Sequence, residues 1–129
     1  MGGESERRLS FCVLRALPNR VIEVTPDHGI EINLAMVEEL DRSMIEMMGN
    51  VFAILVNKVN AYSVSFEAQV VIGTLKEATA TAVLVYDRFG EMGTEQIKAM
   101  SEGEEKKIDI FFDKGQAIDW LETKMAALP

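Results

Sequence analysis

Polar side chains follow two apolar runs of the chain, and their types suit ligand binding more than catalysis. The candidates directly after these runs are Asn57, Lys58, Asn60, Asp87, Arg88 and Phe89. Because an open α/β sheet binds ligands beyond the carboxyl ends of its strands, we expect these side chains to converge. Lys58 and Arg88 are the candidates for contact with an anion. Asp113, which follows a later strand, is explained by a helix cap.

The connection after residue 57 supplies three further candidates, Tyr62, Ser63 and Ser65. Ser65 precedes an apolar stretch and is predicted to cap a helix. A phosphate at that helix start would also be stabilised by the positive end of the helix dipole. The cap is the simpler role for Ser65, while Tyr62 and Lys58 could line a small-molecule site.

Catalytic and metal-binding motifs are missing from the sequence. It has no G-x-S-x-G elbow and no phosphate-binding glycine loop. The one histidine, His28, has no nucleophile at a suggestive spacing, and the one cysteine, Cys12, excludes an internal disulfide and a cysteine-based zinc site. We therefore predict no enzymatic activity, no catalytic residues, no metal site and no cofactor.

Composition and charge narrow the classes of partner. The 129 residues carry a net charge of −8, and 48% of them are hydrophobic. An acidic surface repels phosphate backbones, which argues against nucleic acid and anionic membranes. No apolar run approaches the roughly 18 residues of a membrane span, and residues 1–8 lack a signal-peptide core. We expect one cytoplasmic domain over residues 1–129, with residues 1–8 flexible.

Hydrophobic periodicity predicts alternating strands and helices. The predicted strands are residues 9–17, 20–25, 51–57, 81–86 and 107–112. Two helices are predicted with both ends, residues 34–48 after the cap Asn33 and residues 66–78. A short helix is predicted to begin after the cap Thr94, and a last helix after Asp113. Residues 89–93 are predicted as a loop and 101–107 as a solvated, charged turn. The order ββαβαβαβα implies an α/β fold with a mixed five-stranded sheet and about four helices.

The second predicted helix is unusually apolar. Val70, Val71 and Ile72 occupy three successive positions and cannot all face one side. Such a helix is either deeply buried or covered by another subunit, so we predict a homodimer through this region.

The second half of the chain resembles a known family. The segments AVLVYDRFGEMGTEQIKAM and KKIDIFFDKGQAIDWLETKM resemble SpoIIAA-like proteins of the STAS and CRAL-TRIO-like group. The family's Ala-Ile-x-Trp-Leu signature corresponds here to Ala117, Ile118, Trp120 and Leu121. The resemblance covers residues 9–126 and implies a compact fold with helices packed on a mixed sheet.

The resemblance also implies two possible functions. Family members of the anti-sigma antagonist type bind a partner protein and are switched by phosphorylation in an Asp-Ser-x-Gly segment. Residues 61–66 lack that aspartate and glycine, so neither Ser63 nor Ser65 can be assigned as a phosphosite. The first expectation is a non-enzymatic regulatory or protein-interaction domain that docks an unknown partner through residues 57–76. The alternative is a module for a small apolar, anionic or lipid ligand, although lipid-carrying relatives need a larger cavity.

Overall fold

The protein is built on a six-stranded mixed sheet, with a two-stranded sheet beside it. The computed structural model describes residues 4–100 and 106–129. The strands are β1 (Glu6–Arg8), β2 (Cys12–Leu17), β3 (Val21–Pro26), β4 (Glu31–Ile32), β5 (Phe52–Asn57), β6 (Ser63–Val64), β7 (Ala78–Leu84) and β8 (Ile108–Phe111). The large sheet has the order β1-β2-β3-β5-β7-β8, and β4 pairs with β6. β1, β2 and β3 are antiparallel neighbours, while β3, β5, β7 and β8 run parallel.

Four α-helices cover the two faces of the large sheet. They are α1 (Leu34–Met48), α2 (Phe66–Val71), α3 (Arg88–Ala99) and α4 (Lys114–Ala126). The predicted caps are confirmed for three of them. The side-chain oxygens of Asn33, Ser65 and Asp113 accept hydrogen bonds from N–H groups three residues further on, at 2.9, 3.3 and 3.0 Å. Each cap satisfies a donor that the helix itself leaves unpaired.

Alternate residues along the central strands face different helices. Leu55, Ala82 and Leu84 pack with α4 through Ala117 and Leu121. The opposite face packs under α1, α2 and α3 in three adjoining apolar clusters. Since β5 and β7 are covered on both sides, they hold the consecutive apolar residues 52–56 and 82–84. β7 ends at Leu84, before the predicted residue 86.

The amino-terminal prediction is wrong in part. Residues 6–8 form β1 at the edge of the sheet, and the predicted strand at 9–17 is interrupted before Cys12. The N–H of Leu9 donates to the carbonyl of Cys12 at 2.9 Å, which reverses the chain and lets β1 pair with β2. This pairing adds a sixth strand to the predicted five.

The second helix is shorter than predicted and ends at Val71 instead of residue 78. Gly73 follows at φ +87°, where a Cβ would lie 2.6 Å from Ile108 Cδ1. Only glycine fits this left-handed position against β8. The chain then reaches Ala78, where β7 begins earlier than the predicted residue 81.

The third helix is longer than predicted, because it begins at Arg88 and includes residues 89–93, which were expected to be a loop. Asp87 is its cap and accepts from the Gly90 N–H at 2.8 Å. Thr94, the predicted cap, lies inside the helix, where its buried hydroxyl donates to the Gly90 carbonyl at 2.8 Å. β8 lies at an edge as expected, and residues 101–105 of the predicted charged turn fall outside the described ranges.

Candidate functional site

A surface cleft of about 390 Å³ lies at the carboxyl ends of the parallel strands. Its walls come from the connection after β5, from α2 and from α3. Six of the residues predicted from sequence line it: Lys58, Asn60, Tyr62, Ser63, Asp87 and Phe89. Asn60 also ties the connection after β5 to the end of β3, because its Nδ2 donates to the Pro26 carbonyl at 3.0 Å.

Lys58 and Tyr62 form the floor of the cleft. The Lys58 Nζ lies 5.1 Å from the centroid of the Tyr62 ring, which places the cation over the aromatic face. Burial lowers the pKa of Lys58, and the negative charge of Asp87 acts in the opposite direction. Burial also raises the pKa of the Tyr62 phenol, so the hydroxyl stays neutral. A bound anion would compensate the desolvated ammonium of Lys58.

The side of α3 that faces the cleft carries glycines. Gly90 and Gly93 stand three residues apart on one helix face. A Cβ at Gly93 would lie 3.5 Å from the Lys58 Nζ, so the ammonium rests directly against the helix backbone. Opposite, the Gln96 Nε2 donates to the Gln69 Oε1 at 3.0 Å. Gly93 thus lets Lys58 approach α3 closely, and the two amides give the rim hydrogen-bonding capacity.

An apolar cavity of about 90 Å³ lies beneath the cleft, between the sheet and helices α1, α2 and α3. Its wall includes the aliphatic side chains of Met44, Val71 and Val83. Four residues line both spaces: Lys58, Tyr62, Val64 and Ile97. The cleft and the cavity are therefore adjacent compartments with Lys58 and Tyr62 at their junction.

One carboxylate interrupts the apolar wall of the cavity. Asp41 projects from α1 and is half-buried. Burial, with smaller contributions from the nearby charges of Glu77 and Glu38, raises the pKa of Asp41 to about 6. No salt bridge to Asp41 is found within residues 4–100 and 106–129. The charge of this carboxylate therefore changes within the mildly acidic range.

Asn57, another predicted site residue, belongs to the opposite face of the sheet. Its Nδ2 donates to the Glu23 Oε2 at 3.0 Å, and its Oδ1 accepts from the Tyr86 hydroxyl at 2.8 Å. Glu23 is only 5% exposed and also pairs with Lys114 at 3.3 Å. This network compensates a buried carboxylate and fixes the start of α4 against the sheet.

Two further predicted residues lie outside the cleft. Ser65 is occupied as the cap of α2. Arg88 is exposed at the first position of α3 and does not line the cleft. Phe89 lines the cleft at its outer side and is 86% exposed. The sequence placed these loops at one end of the sheet but did not distinguish the two faces of the sheet.

The polar and glycine residues that the sequence interpretation missed are Gln69, Gly93, Gln96 and Asp41, while Gly90 was expected in the wall of the site as part of a loop. The glycines and Gln96 lie on α3, whose first half was assigned to a loop. The sequence does contain a signal for that helix face, because Gly90 and Gly93 stand three residues apart and follow Asp87, a possible helix cap. For Asp41 there was no such signal, because charged residues surround it in sequence.

Metal-binding clusters and membrane-spanning helices are absent from the described part of the chain. Residues 4–100 and 106–129 contain no group of three or more His, Cys, Asp or Glu side chains placed to hold a metal ion. Among the helices of the same ranges, none is both long and apolar enough to cross a membrane.

Comparison with known proteins supports the fold. No protein-family model matches the sequence, and no curated protein matches it. Among solved structures, the chain is similar to an uncharacterized protein of the DUF3478 family with a SpoIIAA-like fold, from Shewanella loihica PV-4. The two share 15% sequence identity, with a TM-score of 0.53 and 90% of each chain covered. The resemblance to SpoIIAA-like proteins is thus confirmed for the fold.

Proposed function

We propose that this SpoIIAA-like chain is a non-enzymatic binding protein for a small ligand that has an anionic head and an apolar body. The head occupies the cleft at Lys58, and the body enters the cavity below. The observation that carries this proposal is the junction at Lys58 and Tyr62, which lines both compartments. It refines the small-molecule alternative predicted from the sequence.

The chemistry of the junction favours an anion. Lys58 is half-buried and faces the neutral ring of Tyr62. The carboxylate whose charge acts on Lys58, Asp87, is held as the cap of α3. A hydrogen bond to a charged group contributes about 1.5–3 kcal/mol, which corresponds to roughly 10- to 150-fold in affinity. The apolar cavity then contributes through burial of the ligand's body.

A binding role fits the available side chains better than catalysis does. His28 is exposed and lines neither compartment. Asp87 is occupied as the cap of α3, where it accepts a hydrogen bond from the Gly90 N–H. The side chains at the junction are a lysine and a neutral phenol, which suit recognition of a head group.

Titration calorimetry tests the proposal with two anionic amphiphiles, octanoate and an anilinonaphthalene sulfonate, on wild type and a Lys58→Met variant. We expect the variant to lose about tenfold or more in affinity for both probes. The matched control is Lys76→Met, because Lys76 is exposed and lines neither compartment. The proposal is wrong if neither probe binds, or if Lys58→Met and Lys76→Met bind equally well.

The second candidate function is a regulatory or protein-interaction role, which a surface of exposed apolar side chains supports. Phe89 and Met92 lie three residues apart on α3 and are 86% and 56% exposed. Phe66 at the start of α2 is 67% exposed. Large exposed apolar side chains favour a protein contact. The sequence predicts a second copy of this chain as the partner, docked through the second helix, and the exposed pair on α3 is a further surface for such a contact.

Sedimentation velocity over a range of concentrations tests this homodimer. We expect a dimer for wild type and a monomer for the double variant Phe89→Ser/Met92→Ser. A matched control is Phe112→Ser, which removes an apolar side chain 62% exposed from outside α3 and outside residues 57–76. A wild-type monomer at high concentration would contradict the homodimer.

A further inference from the structure

Two opposite charges line the cleft without touching each other. Of the described residues in its walls, Lys58 and Asp87 are the ones whose side chains carry a charge. Among the salt bridges of residues 4–100 and 106–129, none joins Lys58 to Asp87. The charge of Asp87 still acts on Lys58, so the two are near enough to interact through space. A ligand that carries both an anion and a cation matches this arrangement.

Asp87 has an oxygen to offer such a ligand. Its Oδ1 accepts the Gly90 N–H at 2.8 Å as the cap of α3. Within the described residues its Oδ2 accepts no hydrogen bond, and the side chain is exposed. A carboxylate has about four acceptor sites, so one Asp87 side chain can cap the helix and bind an ammonium together.

The apolar cavity beneath the cleft limits the ligand's apolar body. It measures about 90 Å³. A water-sized group such as a methylene occupies about 30 Å³, so about three of them fit, whereas benzene occupies a cavity of about 150 Å³. Val64 and Ile97 line both compartments, so the body passes apolar side chains between cleft and cavity. An aliphatic group of about three carbons matches this space, and an aromatic ring does not.

Resting on the proposed function, we infer that the ligand is an α-amino acid with an aliphatic side chain of about three carbons, such as valine. Its carboxylate binds Lys58, its ammonium binds Asp87, and its side chain enters the cavity. The carboxylate is the anionic head of the proposed ligand, and the ammonium is its additional feature.

Calorimetry with L-valine and its two truncated analogues tests this class of ligand. Isovalerate lacks the amine, and we expect it to bind wild type about fivefold more weakly than L-valine, because it makes no ion pair with Asp87. Isobutylamine lacks the carboxylate that pairs with Lys58, and it should bind about tenfold more weakly or less. L-phenylalanine should also bind more weakly than L-valine, and tighter binding would contradict the size limit.

The substitution Asp87→Asn separates the charge of Asp87 from its role as a cap, since asparagine caps helices as well as aspartate does. We expect it to weaken L-valine binding by about fivefold and not to weaken isovalerate binding. Asp113→Asn is the matched control, because Asp113 caps α4 and lines neither compartment. This control should bind L-valine like wild type.

Methionine methyl NMR locates the side chain of the bound amino acid in the same titration. Met44 lines the cavity and is 2% exposed, whereas Met125 packs against the α4 side of the sheet. We expect L-valine to shift the Met44 methyl signal and to leave the Met125 signal in place. An unshifted Met44 signal at saturation would contradict the placement in the cavity.

The outcomes separate the amino acid from the proposed function. If isovalerate binds as tightly as L-valine and Asp87→Asn changes neither affinity, while Lys58→Met weakens both, the amino acid is wrong and the proposed function stands. The same holds if L-valine does not bind but octanoate binds through Lys58. If none of these probes binds, both are wrong. Should Asp87→Asn fail to fold, the comparison of L-valine with isovalerate on wild type still decides.

Discussion

Replacing Asp41 by asparagine should stabilise the protein at neutral pH and leave its stability unchanged in acid. Asp41 is a carboxylate in a mainly apolar wall, and burial, with smaller contributions from Glu77 and Glu38, raises its pKa to about 6 from the ordinary 3.8. Asparagine has nearly the same shape but carries no charge at any pH. The substitution therefore removes the cost of a desolvated charge and keeps the packing of α1.

The direction in which stability changes with pH follows from the number of protons that each state binds. Since the pKa of Asp41 is raised in the folded chain, the folded state binds more protons than the unfolded state between about pH 4 and 6. The free energy of unfolding of wild type therefore falls as the pH rises through this window, and the full penalty is present above it. The Asp41→Asn variant has no such loss, so its stability increases relative to that of wild type as the pH rises.

The size of this stability difference follows from the two pKa values of Asp41, in the unfolded and the folded chain. The interval between 3.8 and about 6 corresponds to about 3 kcal/mol, at about 1.36 kcal/mol for each pH unit. Asp41 keeps partial contact with solvent, and screening reduces the expected gain to about 1–2 kcal/mol. The difference between variant and wild type should thus grow from near zero at about pH 4 to about 1–2 kcal/mol at about pH 7.

Urea denaturation of both proteins at several pH values between these limits measures this difference. Asp119→Asn is the matched control, because Asp119 is exposed on α4 and does not line the cavity. The difference in unfolding free energy between Asp119→Asn and wild type should not change with pH. A flat profile for Asp41→Asn, or an equal slope for both variants, would refute the assignment of the penalty to burial in the cavity wall.

Two further substitutions test the local geometry by denaturation. Gly73→Ala should destabilise by about 2–4 kcal/mol, since its Cβ would meet Ile108 at 2.6 Å and its positive φ alone costs about 1–2 kcal/mol. Gly29→Ala has a similar φ but open space, so it should cost only the backbone part, and equal losses would disprove the close contact. Asn57→Ala should destabilise by about 1–3 kcal/mol, because Glu23 loses a donor while buried. Its octanoate affinity should match wild type, and a loss of affinity without a loss of stability would place Asn57 in the binding site instead.

Local signals in the sequence decided much of the fold. The apolar runs that became β5 and β7 need cover on both faces, and this alone implies a central parallel pair. The caps at Asn33, Ser65 and Asp113 act within three residues, so their identity and spacing suffice to predict them. The loops around Lys58 and Asp87 could be brought together for the same reason, because the ends of parallel strands share one edge.

Contacts between distant residues decided the rest. Gly73 ends α2 because β8 leaves no space for a side chain there, and residues 73 and 108 are far apart in sequence. Asn57 and Lys58 are neighbours in the chain, yet they serve opposite faces of the sheet, since Glu23 and Tyr86 hold one and Tyr62 the other. The sequence by itself determined the alternation of strands and helices and the end of the sheet where a ligand is expected. Only the tertiary structure decided that a cavity lies beneath that end, because its volume depends on how three separate helices pack on one face.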